Sequence, residues 1–191
     1  MKNFIYTSIL LLCFFTACRR DDITIPPEEI HVTPPEDNKE LIGFYLLNEG
    51  NMGSNKSTLD YFDYTTGNYH RNIYGYANPN VPMELGDVGN DLKIYGGKLY
   101  AVINCSNKIE VMDKFTAKRV GKIEIPNCRY INFYEGYAYV TSYAGPVEIN
   151  QNYEQIGYVA KIDTATFEII DRCLVGFQPD EIEIVDFPIE G

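Results

Sequence analysis

The chain of 191 residues contains no tryptophan and only two histidines, and its 16 lysines and arginines are outnumbered by 27 aspartates and glutamates. The net charge of -11 argues against a nucleic-acid backbone as partner, because a basic patch would have to form against a strongly acidic background. His31 lies in an acidic, proline-containing stretch and His70 in an expected outer strand, so nucleophilic catalysis lacks an evident base. No phosphate-binding glycine loop and no Cys-x-x-Cys pair occur. Helix formers at a 3.6-residue period are nearly missing after residue 40. Apolar residues 4–15 form a run too short to cross a bilayer as a mature helix. These absences leave no catalytic set, no metal set and no cofactor to expect.

What is present begins with export. Lys2 precedes the apolar run, which ends Phe15-Thr16-Ala17-Cys18. A basic start, an apolar centre and small residues make a secretory signal over residues 1–17. The closing cysteine resembles a bacterial lipobox, which implies lipidation of Cys18; Phe15 departs from the leucine usual at its position. More than one acyl chain gives a stable membrane anchor. Residues 18–40 carry Pro26, Pro27, Pro34 and Pro35 among acidic side chains, and such a segment is expected to be an extended tether. Asp21-Asp22 just after the cysteine resembles the acidic surface-export signal of lipoproteins in Bacteroides-type bacteria, which implies an outer-membrane position facing the cell exterior.

From residue 41 onward the composition turns to strands. Hydrophobic residues make up 45% of the chain, and 16 tyrosines dominate its aromatics; tyrosine packs well on a pleated surface. Alternation and turn chemistry predict strands at residues 90–95, 98–104, 108–113 and 119–125. Gly96-Gly97 makes the first hairpin turn. The pattern restarts at 130–134, 137–142, 158–163 and 168–175, with 181–186 beginning another unit. Upstream, 43–49, 57–63 and 68–74 match the second, third and fourth strands of a unit. Asp63, Asp113 and Asp163 recur fifty residues apart, each closing a third strand. An aspartate there caps the backbone N–H groups of the following turn.

Four-stranded antiparallel units at this period are β-propeller blades. The expected fold is all-β, with about three blades in residues 41–191. A two-sheet sandwich is the competing architecture. "YVTS" at 139–142 resembles the repeat core of YVTN-type propellers, and "YVAKIDTATFEII" at 158–170 resembles the YncE-like ones. Residues 44–63, "FYLLNEGNMGSNKSTLDYFD", together with the lipobox and tether, resemble the surface lipoprotein propellers of Bacteroides-type bacteria. One branch of those, the BtuG type, captures cobalamin for a TonB-dependent transporter. The resemblance implies around seven blades, so the chain is expected to be truncated relative to that family.

Loops between strands two and three, and from strand four to the next blade, share one rim. They are long here: residues 50–56, 75–89 and 143–157. The opposite rim has only tight turns. Long loops not required by the fold tend to carry binding. Rich in Asn, Tyr and Gly, they suit a large polar ligand. The candidate ligand-binding residues are Asn48, Glu49, Asn51, Asn104, Tyr143 and Tyr153. The "GDVGND" stretch, with Asp87, Asn90 and Asp91, reads as turn and strand-entry chemistry rather than a calcium loop. After export, Cys105, Cys128 and Cys173 remain. The rim assignment is compatible with a Cys105–Cys128 disulfide, leaving Cys173 as a buried thiol; three reduced cysteines are the competing expectation.

Two functions follow. The first is a non-enzymatic surface module capturing a small ligand, a corrinoid above all, for delivery to a TonB-dependent transporter. The second is a structural or adhesive propeller recognising a glycan or a protein.

Overall fold

The computed structural model describes residues 41–82, 84–145 and 156–185. All of them belong to one unit of the chain, His31–Gly191. The signal, the lipidation site Cys18, the tether and Tyr153 lie outside the described residues.

The described residues form three antiparallel sheets. The first has β1 (Gly43–Asn48), β2 (Thr58–Asp63) and β3 (Asn68–His70) in that order. The second has β4 (Gly89–Tyr95), β5 (Lys98–Ile103), β6 (Lys108–Asp113) and β7 (Arg119–Glu124). The third has β8 (Cys128–Tyr134), β9 (Tyr137–Ser142), β10 (Tyr158–Asp163) and β11 (Ile169–Leu174). Each is a meander of sequence neighbours, as propeller blades are.

Burial shows how the sheets stack. In β5 the side chains alternate between two cores. Tyr100 and Val102 join Val111, Ile131, Val140 and Ile162 in one cluster between the second and third sheets. Leu99, Ala101 and Ile103 join Leu59, Tyr74 and Leu85 in the other, between the first and second. A strand covered on both faces must be apolar at every position, and Leu99 to Ile103 are each at most 1% exposed. By contrast β11 has no sheet over it among the described residues, and Ile170 and Leu174 are 51% and 71% exposed. The Tyr100 hydroxyl is buried with no hydrogen-bond partner among the described residues, and burial pushes its pKa up to about 12.

The recurring aspartate does the same job in every unit. Asp63 Oδ1 accepts from the Thr65 N–H at 2.7 Å, Asp113 Oδ1 from Phe115 and Thr116 N–H at 3.0 and 2.9 Å, and Asp163 Oδ1 from Ala165 and Thr166 at 2.7 and 2.9 Å. Its own carbonyl accepts from the residue four on, which has a left-handed backbone: Gly67, Ala117 or Phe167. The next residue after each aspartate donates its N–H across the sheet, Tyr64 to Ile42 O, Lys114 to Gly97 O and Thr164 to Gly136 O. Ile42 therefore stands where the hairpin glycines stand, and β1 corresponds to β5 and β9. The first sheet has second, third and fourth strands, as its sequence indicates.

These hydrogen bonds hold the three carboxyls below the usual carboxylate range; the largest cause is the Thr65 N–H for Asp63, the Thr116 hydroxyl for Asp113 and the Thr166 N–H for Asp163. A depressed folded pKa contributes stability that is complete above the unfolded value, near pH 4, and is lost as pH falls through the folded values. Asp63→Asn, Asp113→Asn and Asp163→Asn combined are therefore expected to flatten the acid limb of a urea-midpoint-versus-pH curve. An acid limb identical to that of the parent chain would refute this.

Two expected strands differ. The stretch 68–74 is strand only over Asn68–His70; helix α1 (Ile73–Ala77) follows. Asn72, at φ 47° and ψ 46°, turns the chain, and its N–H is fixed by Asp60 Oδ1 at 2.8 Å. The helix delivers Tyr74 into the core, 2% exposed, which an outer strand would not. Residues 181–185 are not assigned as strand, because no described segment pairs with them. They lie along the third sheet, where Thr141 Oγ1 donates to Asp180 O at 2.5 Å and Asn132 Nδ2 to Ile182 O at 3.3 Å.

Candidate functional site

The long connections are stitched into one rim by backbone hydrogen bonds. Ser57 N–H donates to Gly86 O and Leu85 N–H to Ser57 O, joining the β1–β2 loop to the β3–β4 connection. Gly89 N–H donates to Glu49 O, Asn104 N–H to Val88 O and Cys105 N–H to Asp87 O, carrying the link into the second sheet. Ile125 N–H donates to Asn107 O and Tyr143 N–H to Asn127 O, reaching the third. Loop backbone at a surface must place its polar groups, and here the loops satisfy one another.

Carboxylate and amide side chains reinforce the stitching. Asp87 Oδ2 accepts from Gly53 N–H at 2.7 Å and Asp87 Oδ1 from Asn55 N–H at 3.3 Å, while the Ser106 hydroxyl bonds Asp87 N–H at 2.8 Å. Asn127 N–H donates to Asn107 Oδ1 at 2.7 Å, and Asn127 Nδ2 to Gly145 O at 2.8 Å. Asparagine suits these places because it tolerates the left-handed region: Asn55, Asn107 and Asn127 have φ of 55°, 54° and 43°. Val88 has φ 59°, which a β-branched residue adopts only under strain. That strain sits at the centre of the rim, where the surrounding bonds enforce it.

Against this rim lies an open groove of about 880 Å³. Its walls include Met52, Ser106, Asn107, Lys122, Glu124 and Asn127. Lys122 and Glu124 are paired at 2.5 Å and exposed at 48% and 72%. The groove offers amide donors and acceptors, a hydroxyl and both signs of charge. It presents binding chemistry of the kind that orients a polar ligand.

The expected site residues divide. Asn104 lines the groove, but its amide works internally: it is 4% exposed and donates to Asn127 Oδ1 and, at 2.9 Å, to Cys128 O. Asn48 likewise spends its amide on Thr58 Oγ1 at 3.0 Å and Asp60 Oδ2 at 2.8 Å, holding buried Asp60. Both are supports rather than contacts. Asn51 and Glu49 are exposed on the β1–β2 loop, beside groove residue Met52. Tyr143 lies on the third sheet's side, its ring 5.1 Å below the Arg129 guanidinium and its hydroxyl 3.5 Å from Asp180 Oδ1. Sequence reasoning missed Ser106, Asn107, Lys122, Glu124 and Asn127. In the short loops 104–107 and 125–127 the sequence reading placed only Asn104 at the site, although three Asn in seven positions were a usable signal.

The expected disulfide is absent. Cys105, Cys128 and Cys173 are free thiols. Cys128 Sγ is buried under the sheet, contacting Lys108 O at 3.4 Å, and burial pushes its pKa up to about 12. Cys105 Sγ turns instead toward Asn104 Oδ1 at 3.5 Å; burial raises its pKa, with Asp87 adding to the effect. Adjacent loops on one rim place the backbones together, but these side chains point to different sides of it. Cys173, expected to be buried, is exposed on the uncovered outer strand. Asp91 and Asn90 are strand-entry residues, as expected: Asp91 Oδ2 accepts from Ile131 N–H at 3.0 Å and Asn90 Nδ2 donates to Arg129 O at 2.7 Å. Among the described residues no group of acids, histidines and cysteines is placed to hold a metal ion.

Residues 42–173 match the family described as "Domain of unknown function (DUF5074)". No curated protein matches the chain. Among solved structures, a europium-containing methanol dehydrogenase is similar at 13% identity and a TM-score of 0.46, over 70% of this chain and 23% of its own. The Kuenenia stuttgartiensis hydrazine synthase is similar at 11% identity and a TM-score of 0.35, over 62% of this chain and 43% of its own. The chain thus spans less than half the length of either structure.

Proposed function

Because the chain belongs to the DUF5074 family, whose description leaves activity open, we propose that it is a binding module rather than an enzyme, and that its long-loop rim captures a small polar ligand. A corrinoid is the first candidate. In this reading Cys18 carries the lipid, the acidic tether spaces the blades from an outer membrane, and the ligand passes to a TonB-dependent transporter. The kinship with YncE-like and BtuG-type propellers belongs to the same proposal.

One observation carries it: an open groove of about 880 Å³ lies along the rim that the loops build together. The exposed Asn107 amide on its wall supports a ligand fringed with carboxamides, as a corrin ring is, because amides pair donor to acceptor with one another. Exposed Lys122 at the same wall suits an anionic tail.

Titrating the purified protein with cyanocobalamin is expected to give saturable heat and a shift of the visible bands. Lys122→Ala and Asn107→Ala combined are expected to weaken binding about tenfold or more, equal to about 1.4 kcal/mol. Folded protein that gives neither heat nor a band shift would reject the corrinoid. A glycan that binds with the same dependence on Lys122 and Asn107 would keep the rim and replace the ligand.

A further inference from the structure

We propose that Met52 is the specificity-determining contact of the groove on the loop rim. Its thioether lies against the face of a flat ring system and selects that class of ligand over a hydrated sugar. The inference rests on the reading of the groove as a ligand site, and it names the ligand chemistry that the groove takes.

Consider the loop first. In residues 50–56, "GNMGSNK", Met52 is the single apolar side chain, and it is 77% exposed at the groove. Slack in the loop does not explain that exposure. Gly50, at φ 75°, lies so near the other stem that an added Cβ would meet Lys56 C and Ser57 N at 2.8 Å. Ser54 N–H donates to Asn51 O at 2.9 Å, and Gly53 has φ 79°, as the third position of a type II turn requires. Met52 is the second residue of that turn. Asp87, from a different connection, accepts from Gly53 N–H at 2.7 Å and from Asn55 N–H at 3.3 Å. The turn is thus fixed from within and from across the rim, and it presents Met52 on a backbone already in place. Such a side chain loses little freedom when a ligand covers it.

Now the rest of the wall. Pro126 is a second exposed apolar side chain that lines the groove. Asn107 is exposed; its Oδ1 accepts from Asn127 N–H at 2.7 Å, which leaves Nδ2 as the donor offered to a ligand. Lys122 adds an ammonium group, 48% exposed. The groove therefore combines two apolar surfaces with a few polar groups, the pattern of a site in which apolar contact holds a ligand and polar contact orients it.

This combination selects among ligand classes. A flat ring system has apolar faces and carries its polar substituents at the edge. Its face suits Met52, because a thioether is polarisable and makes favourable contacts with conjugated rings. Its edge suits Asn107 Nδ2 and Lys122. A sugar instead presents hydroxyls all round, and an unpaired hydroxyl against a thioether is costly once water is excluded. Sugars rest their C–H faces on aromatic rings, and among the described residues no aromatic side chain lines this groove.

Calorimetric titration of the purified protein with cyanocobalamin, riboflavin and maltoheptaose tests this. Cyanocobalamin affinity is expected to fall at least about tenfold in Met52→Gln, which keeps the length of the side chain and removes its apolar end. Met52→Leu is expected to recover most of that loss. Because residue 52 is exposed, both variants are expected to keep the parent urea midpoint. Maltoheptaose is expected to give no saturable heat. Cyanocobalamin binding that is equal in Met52→Gln and the parent would overturn the role of Met52 and leave the corrinoid reading standing. A parent chain that ignores cyanocobalamin but binds riboflavin through Met52 would reject the corrinoid and support the flat-ring class. A parent chain that binds neither of these two probes, or that binds maltoheptaose through Met52, would overturn the inference.

Discussion

Arg119→Met is expected to lower folding stability by about 3–5 kcal/mol, far more than a partly exposed arginine normally contributes. The cause is its partner. Glu110 is fully buried, and its Oε1 accepts from Arg119 Nε at 2.7 Å and from the Tyr74 hydroxyl at 3.0 Å, while Oε2 meets Lys108 Nζ at 3.0 Å. The same arrangement raises the Tyr74 hydroxyl pKa well above the usual tyrosine value, first by burial and then by the Glu110 charge. Methionine keeps the volume of the arginine stem but leaves a buried carboxylate with one ammonium. Glu110→Met added to Arg119→Met removes the stranded charge, and the double variant is expected to recover most of the loss. Lys122→Met is the control: its pair with Glu124 is exposed, and a change within about 0.5 kcal/mol is expected. Urea unfolding of the four proteins is the measurement. A loss below about 1 kcal/mol for Arg119→Met would mean that Glu110 does not depend on its arginine.

Gly86→Ala is expected to cost about 2–4 kcal/mol and to loosen the rim as well. Gly86 has φ 140°, a conformation that alanine avoids. A Cβ built there would lie 2.5 Å from Ser106 Oγ and 2.9 Å from Ile103 Cγ2. Its carbonyl accepts the Ser57 N–H at 2.9 Å, so displacement unties the first loop from the second. Ser106 would also lose its place at Asp87 N–H. Amide exchange should therefore quicken at Ser57, Asp87 and Cys105 beyond what the loss of global stability explains. By comparison, Gly53 has open space around its added Cβ, and Gly53→Ala is expected to affect exchange only locally. Unchanged protection at Ser57 in Gly86→Ala would show that the rim loops hold independently of one another.

Much of the fold was legible because local chemistry and long-range packing agree. Strand periodicity placed β6, β9 and β10 to the residue, and the aspartate at the end of each third strand was assigned the capping role its bonds display. Helix α1 was not legible. "NYHRNIY" alternates like a strand, and only the tertiary neighbours of Tyr74 and the Asp60 contact to Asn72 favour a turn there. At the candidate site, loop length pointed to the rim along which the groove lies but not to the side chains that line it. An asparagine with a free amide and one with a fully used amide look alike in sequence. Asn48, Asn104 and Asn127 prove to spend their amides internally, while Asn107 is exposed at the groove.

By itself the sequence determined that small antiparallel sheets form and where each one turns. The physical reason is local: alternation, paired glycines and an aspartate two residues ahead of a free N–H each act within a few positions along the chain. What only the tertiary structure decided is what meets across the units. Stacking buries both faces of the middle sheet, leaves three thiols unpaired by turning their side chains apart, ties three loops into one rim and sets residues 181–185 along an edge. Those outcomes depend on side chains far apart in sequence, whose directions no local pattern fixes.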